Sequence, residues 1–176
     1  EELKTYKPSV CNRLDRNTSG IVICGKTLAG SQKLSEMIRT REIRKFYRTI
    51  CVGKIRESIT LDGYLYKDEK TNTVTVTEVS RYSPIKTVCT PLATNGKYTL
   101  LEVELITGKT HQIRAHLASI GHPLIGDYKY GDKNINHDMT ARFALTHQLL
   151  HAYRVVFPDG LEVTALYPEK FERIKN

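Results

Sequence analysis

The 176-residue chain has no apolar run near the roughly 18 residues that a membrane-spanning helix requires. It also lacks a basic segment followed by an apolar one at its start, an internal repeat and a low-complexity tract. The 4 cysteines are spaced like neither a zinc ribbon nor a compact disulfide framework, so we expect reduced thiols. These absences argue against a membrane protein or a secreted one, and they favour one globular domain that works in the cytoplasm.

Positive charge is in excess, with 27 Lys and Arg against 19 Asp and Glu and a formal net charge of +8. The densest basic stretch contains a single acid, Glu42, and consists of Arg39, Arg41, Arg44, Lys45 and Arg48. Such a run can line a groove for a polyanion, because each phosphate that it neutralises releases counterions. A solvated helix end followed by an edge strand explains the run equally well.

The apolar periodicity predicts short strands that are joined mainly by turns. Apolar and polar residues alternate most clearly at 73–77 and 98–106, and apolar residues recur with helical spacing at 28–40 and 109–120. The other predicted elements are strands at 21–24, 46–52, 150–157 and 161–166 and a short helix after Pro168. Because few regular helices connect the strands, we expect an α+β fold with a mixed, mainly antiparallel sheet flanked by helices.

Two patterns point to other enzyme classes and are rejected. Residues 20–27 (GIVICGKT) match the phosphate-binding P-loop pattern letter for letter. Their inner residues favour a buried strand, whereas a P-loop needs a turning loop there, so a nucleotide-binding enzyme is the weakest alternative. Failure to bind ATP with magnesium would exclude it. His147 and His151 have the spacing of a zinc-binding pair but lack the accompanying Glu, so no metal is expected.

The most informative segment is residues 12–20 (NRLDRNTSG), in which Asp15 lies between two arginines in a polar loop. From the residues alone, Asp15 either caps its own turn or is an ionised carboxylate at the mouth of a basic cleft. The segment resembles the HRLDxxTSG motif of the RluA family of pseudouridine synthases. Four further segments resemble motifs of that family in the family's order: 45–47 (KFY), 108–116 (GKTHQIRAH), 122–131 (HPLIGDYKYG) and 150–152 (LHA).

The resemblance implies a catalytic domain with the pseudouridine synthase fold and a central active-site cleft. Such an enzyme breaks the N1–C1′ bond of a uridine, rotates the uracil and rejoins it through C5. Nothing is oxidised and nothing leaves, so no cofactor is expected. The implied partner is structured RNA, with ribosomal RNA favoured over transfer RNA, and a monomer is the default expectation.

By the same resemblance, Asp15 is the essential carboxylate, Arg114 pairs with it and Tyr47 packs against the target base. The aspartate either attacks the nucleoside or assists glycosidic cleavage, and both routes stay open. Further RNA contacts are expected from Arg13, Arg16, Thr18, Lys109, His111 and Gln112, with Arg13 filling the space that a flipped base leaves. Because neighbouring strand residues face opposite ways, we expect Phe46 rather than Tyr47 to be a core residue.

The chain departs from the family pattern in two places. Asn12 stands where the family has His, which we expect to alter RNA contacts more than chemistry. The strand and the NKP segment that normally precede the aspartate motif are absent. We therefore expect residues 1–176 to be a catalytic domain without its N-terminal strand segment and any upstream RNA-binding domain. The alternative is a non-catalytic RNA-binding module or an inactive fragment on the same fold, which would not need Asp15, Tyr47 and Arg114 together.

Overall fold

Ten strands and four helices lie within residues 6–175, the part of the chain that the computed structural model describes. The strands are β1 (Ser9–Val10), β2 (Ser19–Gly20), β3 (Cys24–Gly25), β4 (Arg44–Val52), β5 (Ile59–Asp68), β6 (Thr73–Thr77), β7 (Ser83–Thr94), β8 (Tyr98–Leu105), β9 (Leu150–Val156) and β10 (Glu162–Thr164). The helices are α1 (Leu28–Arg39), α2 (Gln112–Ser119), α3 (Lys133–Phe143) and α4 (Glu169–Lys175). None of these helices is long and apolar enough to cross a membrane. All four cysteines are free thiols, as predicted.

An eight-stranded sheet forms the centre of the fold. Its strands lie in the order β10-β9-β4-β8-β7-β5-β6, and β2 pairs with β9. Every pairing is antiparallel except that of β2 with β9. β1 and β3 form a separate two-stranded sheet. The predicted mixed, mainly antiparallel sheet is therefore confirmed.

Helices cover both faces of the sheet. On the front face, Ile113 and Leu117 of α2 pack against Leu101 and Val103 of β8. On the back face, Ile50 of β4 packs in a second cluster to which α3 and α4 contribute Met139, Phe171 and Ile174. Because side chains alternate along β4 and β8, each of these central strands supplies residues to both clusters. The elements of the candidate site described below lie on the front.

The alternation along β4 buries two aromatic residues instead of one. Tyr47 is 6% exposed and belongs to the front core cluster, whereas Phe46 is 5% exposed on the back. The Phe46 ring is covered by the guanidinium groups of Arg44 and Arg154, whose Cζ atoms lie 4.9 and 3.9 Å from its centroid. The prediction that Phe46 alone is a core residue is wrong, because β4 lies inside the sheet and both of its faces are covered.

Several element boundaries differ from those predicted. Most of the predicted strand at 21–24 is loop, because the Ile21 amide binds the Ala152 carbonyl at 2.9 Å and the Ile23 amide binds Asn12 Oδ1 at 2.8 Å. Residues 109–111 form a turn before α2 and are not its first turn. β5, β7 and α3 were not predicted. In β7 the strand pattern is interrupted by Pro84 and Pro91, and the pairing with β8 shifts register next to Pro91.

Candidate active site

A cleft of about 530 Å³ opens on the front of the sheet, between residues 11–18, which we call the aspartate loop, and the start of α2. Its apolar lining includes Leu14, Leu105, Ile113 and Leu150, and its polar lining includes Asn12, Arg13, Asp15, Thr18, Lys45, Tyr47 and Lys109. The volume lies within the ~300–1,000 Å³ range of pockets that bind small molecules. The cleft therefore combines an apolar interior with charged groups of both signs.

The aspartate loop is held against β9 by its backbone. The Thr18 amide donates to the Asp15 carbonyl at 2.9 Å and closes a turn in which Asn17 has a φ of 68°. Gly20 has a φ of 117°, and a Cβ there would lie 2.1 Å from the Ala152 carbonyl oxygen, so only glycine fits. Because the turn uses the Asp15 carbonyl and not its carboxylate, the carboxylate is left to face the cleft.

The Asp15 carboxylate faces an arginine that is fixed from behind. Arg114 Nη1 lies 3.5 Å from Asp15 Oδ2, while Arg114 Nε and Nη2 donate to the two Asp127 oxygens at 2.7 and 2.9 Å. Arg114 is 7% exposed and Asp127 is fully buried. The forked pair fixes the plane of the guanidinium and directs its remaining nitrogen toward Asp15.

Both members of the buried pair are charged. Burial alone would raise the pKa of Asp127, but the hydrogen bonds and charge of Arg114 outweigh it, and the pKa lies below its ordinary value. Burial would likewise lower the pKa of Arg114, but Asp127 and Asp15 raise it overall. Sequence reasoning did not single out Asp127. The signal was the GD pair within residues 122–131, which the resemblance included without a role.

Tyr47 lies on the cleft side of β4 and presents its ring to the same space as Asp15. Burial and the negative charge of Asp15 raise the pKa of its hydroxyl to about 12. The phenol is therefore protonated at neutral pH. It can offer a ring surface and a hydrogen-bond donor, but not a phenolate base.

His111 lies at the start of α2 and contacts Asp15 through its backbone. Its backbone has a left-handed φ of 52°, and its amide points at Asp15 Oδ1 over 3.4 Å. Its Nδ1 lies 2.9 Å from the Tyr130 hydroxyl, which accepts a hydrogen bond from the Val74 amide at 2.9 Å. The phenol proton is then free to be donated to Nδ1, which suits a neutral imidazole. Burial lowers the pKa of His111, which also favours the neutral imidazole.

Of the other predicted RNA contacts, Gln112 is buried, whereas the rest are exposed or half-buried. Gln112 is 2% exposed. Its side-chain oxygen accepts hydrogen bonds from the Thr107 hydroxyl and the Lys109 amide. Its side-chain nitrogen donates to the Lys86 carbonyl and the Thr87 hydroxyl. All of its hydrogen-bonding capacity is used, so it fixes the turn before α2 and has no free group for RNA. Arg13 and Lys109 are exposed and line the cleft. Arg16 is exposed, and Thr18 is half-buried in the cleft wall.

The structure does not bring the predicted basic run onto one surface. Arg44 and Arg48 point to the back of the sheet, where they pair with Glu104 at 2.7 Å and Glu102 at 3.2 Å. Arg39 pairs with Glu36 within α1, and Arg41 is exposed in the following turn. The reason is the period of two along β4, which sends alternate residues to opposite faces. Lys45 is the member of the run that lines the cleft.

The P-loop spelling at 20–27 forms no phosphate cradle. A Cβ at Gly25 would lie 2.1 Å from Ser31 Oγ, so α1 packs directly on this turn. The Thr27 hydroxyl, which would bind magnesium in a P-loop, accepts from the Gly30 amide and caps α1. Within residues 6–175, no three His, Cys, Asp or Glu side chains are grouped so that they could hold a metal ion.

Comparison with known proteins decides the family. Residues 1–119 match the family model described as RNA pseudouridylate synthase. The chain belongs to this family. It is 32% identical over 156 residues to tRNA pseudouridine synthase C of Salmonella typhimurium, covering 82% of this chain and 60% of the relative. It is 32% identical over 164 residues to ribosomal large subunit pseudouridine synthase C of Pasteurella multocida, covering 89% of this chain and 50% of the relative.

The fold agrees with the family. A structure of human RNA pseudouridylate synthase domain containing 1 superposes with a TM-score of 0.78 at 23% identity, covering 94% of this chain and 71% of that one. The resemblance drawn from the motifs is confirmed for the family and for the fold. The chain spans about half the length of the curated relatives that it matches.

Proposed function

We propose that this chain is a catalytic domain that isomerises uridine to pseudouridine in RNA, with Asp15 as the essential carboxylate. The observation that carries the proposal is the position of Asp15 at the cleft, 3.5 Å from an arginine that a second, buried aspartate holds in place. A module that only binds RNA gains nothing from a carboxylate in its basic cleft, because the negative charge repels phosphate.

The proposed chemistry needs no group beyond the protein and the RNA. The N1–C1′ bond of the uridine breaks, a C5–C1′ bond forms, C5 loses a proton and N1 gains one. Asp15 either attacks the nucleoside or assists the glycosidic cleavage, and Arg114 orients it. Tyr47 offers its ring to the base and its protonated hydroxyl as a donor. We keep the expectation that no metal or cofactor takes part.

The target base has to leave its RNA stack before it can reach Asp15. Leu14, Ile113 and Tyr47 all line the cleft, which suits a flat, partly apolar base. The exposed Arg13 and Lys109 at the cleft are suited to phosphate, and Arg13 to filling the vacated stack. The relatives are named for transfer RNA and for ribosomal RNA. We propose that this protein acts on ribosomal RNA, and that it works in the cytoplasm as a monomer.

The test is tritium release from unmodified RNA that carries tritium at uracil C5, because the isomerisation replaces that hydrogen. Wild type should release tritium, and Asp15→Asn should reduce the rate by more than about 10²-fold while RNA affinity stays within a few-fold. Asp138→Asn, which removes an exposed carboxylate on α3, is the matched control and should release tritium at the wild-type rate. Ribosomal and transfer RNA are assayed separately to identify the substrate pool.

Two outcomes would contradict the proposal. Turnover by Asp15→Asn at the wild-type rate would remove Asp15 from the chemistry. RNA binding by wild type without tritium release from either pool would favour a binding module on the same fold.

A further inference from the structure

Lys45 is a half-buried cation without a partner. Its side chain lines the cleft on the front of β4, and its Nζ lies 3.2 Å from the position that a Cβ on Gly108 would occupy. Among residues 6–175 no carboxylate pairs with it and no hydrogen bond holds it. Burial lowers its pKa, and no neighbouring acid counteracts this effect.

The neighbouring cations on the same strand show how unusual this is. Arg44 has Glu104 at 2.7 Å and Arg48 has Glu102 at 3.2 Å, so each back-facing charge is neutralised within the protein. A lysine that loses water on burial without gaining a carboxylate costs stability. Such an arrangement is typical of a group whose anion comes from outside.

The cleft indicates which anion this is. Asp15 is the single acid among the lining residues, and it already faces Arg114 and the His111 amide. Because Gly108 has no side chain, the ammonium of Lys45 can lie close to the backbone there.

Strand geometry sets the spacing. Lys45 and Tyr47 are two residues apart on one face, which places their Cα atoms about 7 Å apart. A nucleotide whose base packs on Tyr47 therefore brings its own backbone near Lys45. An ammonium is a compact point charge, which suits a single phosphate.

Building on the proposed function, we infer that Lys45 binds the backbone phosphate next to the uridine on which Asp15 acts. This assigns Lys45 to substrate binding and not to the chemical step. It also distinguishes Lys45 from Arg44 and Arg48 of the same strand, which form ion pairs on the back of the sheet.

The variants are Lys45→Met, which keeps the apolar stem, and Lys45→Arg, which keeps the charge. Lys97→Met is the matched control, because it removes one exposed lysine just before β8, about 27 Å along the strand from the cleft-lining Leu105. Binding of labelled ribosomal RNA and transfer RNA is measured by filter retention between 50 and about 200 mM salt. Tritium release supplies KM and kcat.

Lys45→Met should weaken RNA binding about 3- to 10-fold at low salt and reduce the slope of log affinity against log salt by about 1. Lys45→Arg should retain most of the affinity, and Lys97→Met should keep the wild-type slope. KM should rise for Lys45→Met, with kcat within about 2-fold of wild type. The variant should melt at or above the wild-type temperature, because an uncompensated buried charge has been removed.

An unchanged salt slope in Lys45→Met would overturn the inference, and so would a loss in kcat at constant KM. A lowered melting temperature would make Lys45 a structural residue. Absence of tritium release by wild type would contradict the proposed function alone, because the binding arm tests the phosphate contact without catalysis. Absence of RNA binding by wild type would contradict both.

Discussion

Replacing Asp127 with Asn should destabilise the fold and loosen the active-site arginine at once. Asp127 is fully buried and accepts from Arg114 at 2.7 and 2.9 Å. It also accepts from the amides of Lys129 and Tyr130 at 2.9 and 3.1 Å. Asn preserves the shape but removes the charge and turns one acceptor into a donor that faces the guanidinium.

The size of the effect follows from burial. Breaking a buried ion pair from one side costs about 3–5 kcal/mol, because the other charge is left without compensation. Two features reduce this cost: the Asn oxygen still accepts one hydrogen bond, and Asp15 remains 3.5 Å from Arg114. We therefore expect a loss of about 3 kcal/mol in the free energy of unfolding, or about 6–12 °C in Tm for a domain of this size.

The loss should depend on pH in a defined direction. The pKa of Asp127 is depressed below its ordinary 3.8, so its contribution is fully present above about pH 4 and disappears as the pH falls through the folded-state pKa. The difference in stability between wild type and Asp127→Asn should therefore be constant from pH 5 to about 8 and narrow below about pH 4. Other carboxylates titrate in both proteins and cancel in the difference.

Urea unfolding of both proteins, followed at several pH values, is the assay. Asp138→Asn is the control, since Asp138 pairs with Arg142 at 3.2 Å with both side chains exposed. It should cost no more than about 0.5 kcal/mol. A loss below about 1 kcal/mol in Asp127→Asn, or a difference that does not narrow in acid, would refute the argument that this pair holds Arg114.

Two further outcomes follow from buried polar groups. Because the pKa of Tyr47 is raised to about 12, its protonated form supports the fold below pH 10, and this support is lost as the pH rises toward 12. Tyr47→Phe lacks this loss, so between pH 10 and about 12 its free energy of unfolding should rise by about 2–3 kcal/mol relative to that of wild type, as measured by urea unfolding. Parallel plots of unfolding free energy against pH for the two proteins would contradict a buried phenol. Gln112→Ala removes the acceptor of the Thr107 hydroxyl and of the Lys109 amide, and one of the two donors to the Lys86 carbonyl, and should cost about 2–4 kcal/mol. The expected fall in calorimetric Tm is about 4–16 °C, and a Tm within 2 °C of wild type would show that water replaces those bonds.

Short-range patterns in the sequence predicted the central elements well. Alternation in β8 placed Leu101 and Val103 on one side and Glu102 and Glu104 on the other, and both apolar residues are fully buried. The two glutamates on the other side bind arginines of β4 and β9. Local alternation reports which residues share a face, but not what covers that face.

The candidate site could be found only through the family resemblance. Asp15 and Arg114 are 99 positions apart, and nothing local in either segment requires them to meet. The Asp127 partner of Arg114 is closer in sequence, but its role depends on a buried turn that seats it under α2. The same limit applies to Gln112, whose polar side chain gave no sign that four internal hydrogen bonds would use it.

The strand β4 shows how one segment serves stability and function separately. Its back-facing Arg44 and Arg48 are paired with glutamates of β8, so two of the three positive charges on this strand are neutralised within the protein. Its front-facing Lys45 and Tyr47 are left to the cleft. The period of two makes these sets independent, because a substitution on one face leaves the other face in register. A count of positive charges along this segment therefore overestimates what RNA can reach, and the cleft depends on the few cations that no glutamate neutralises.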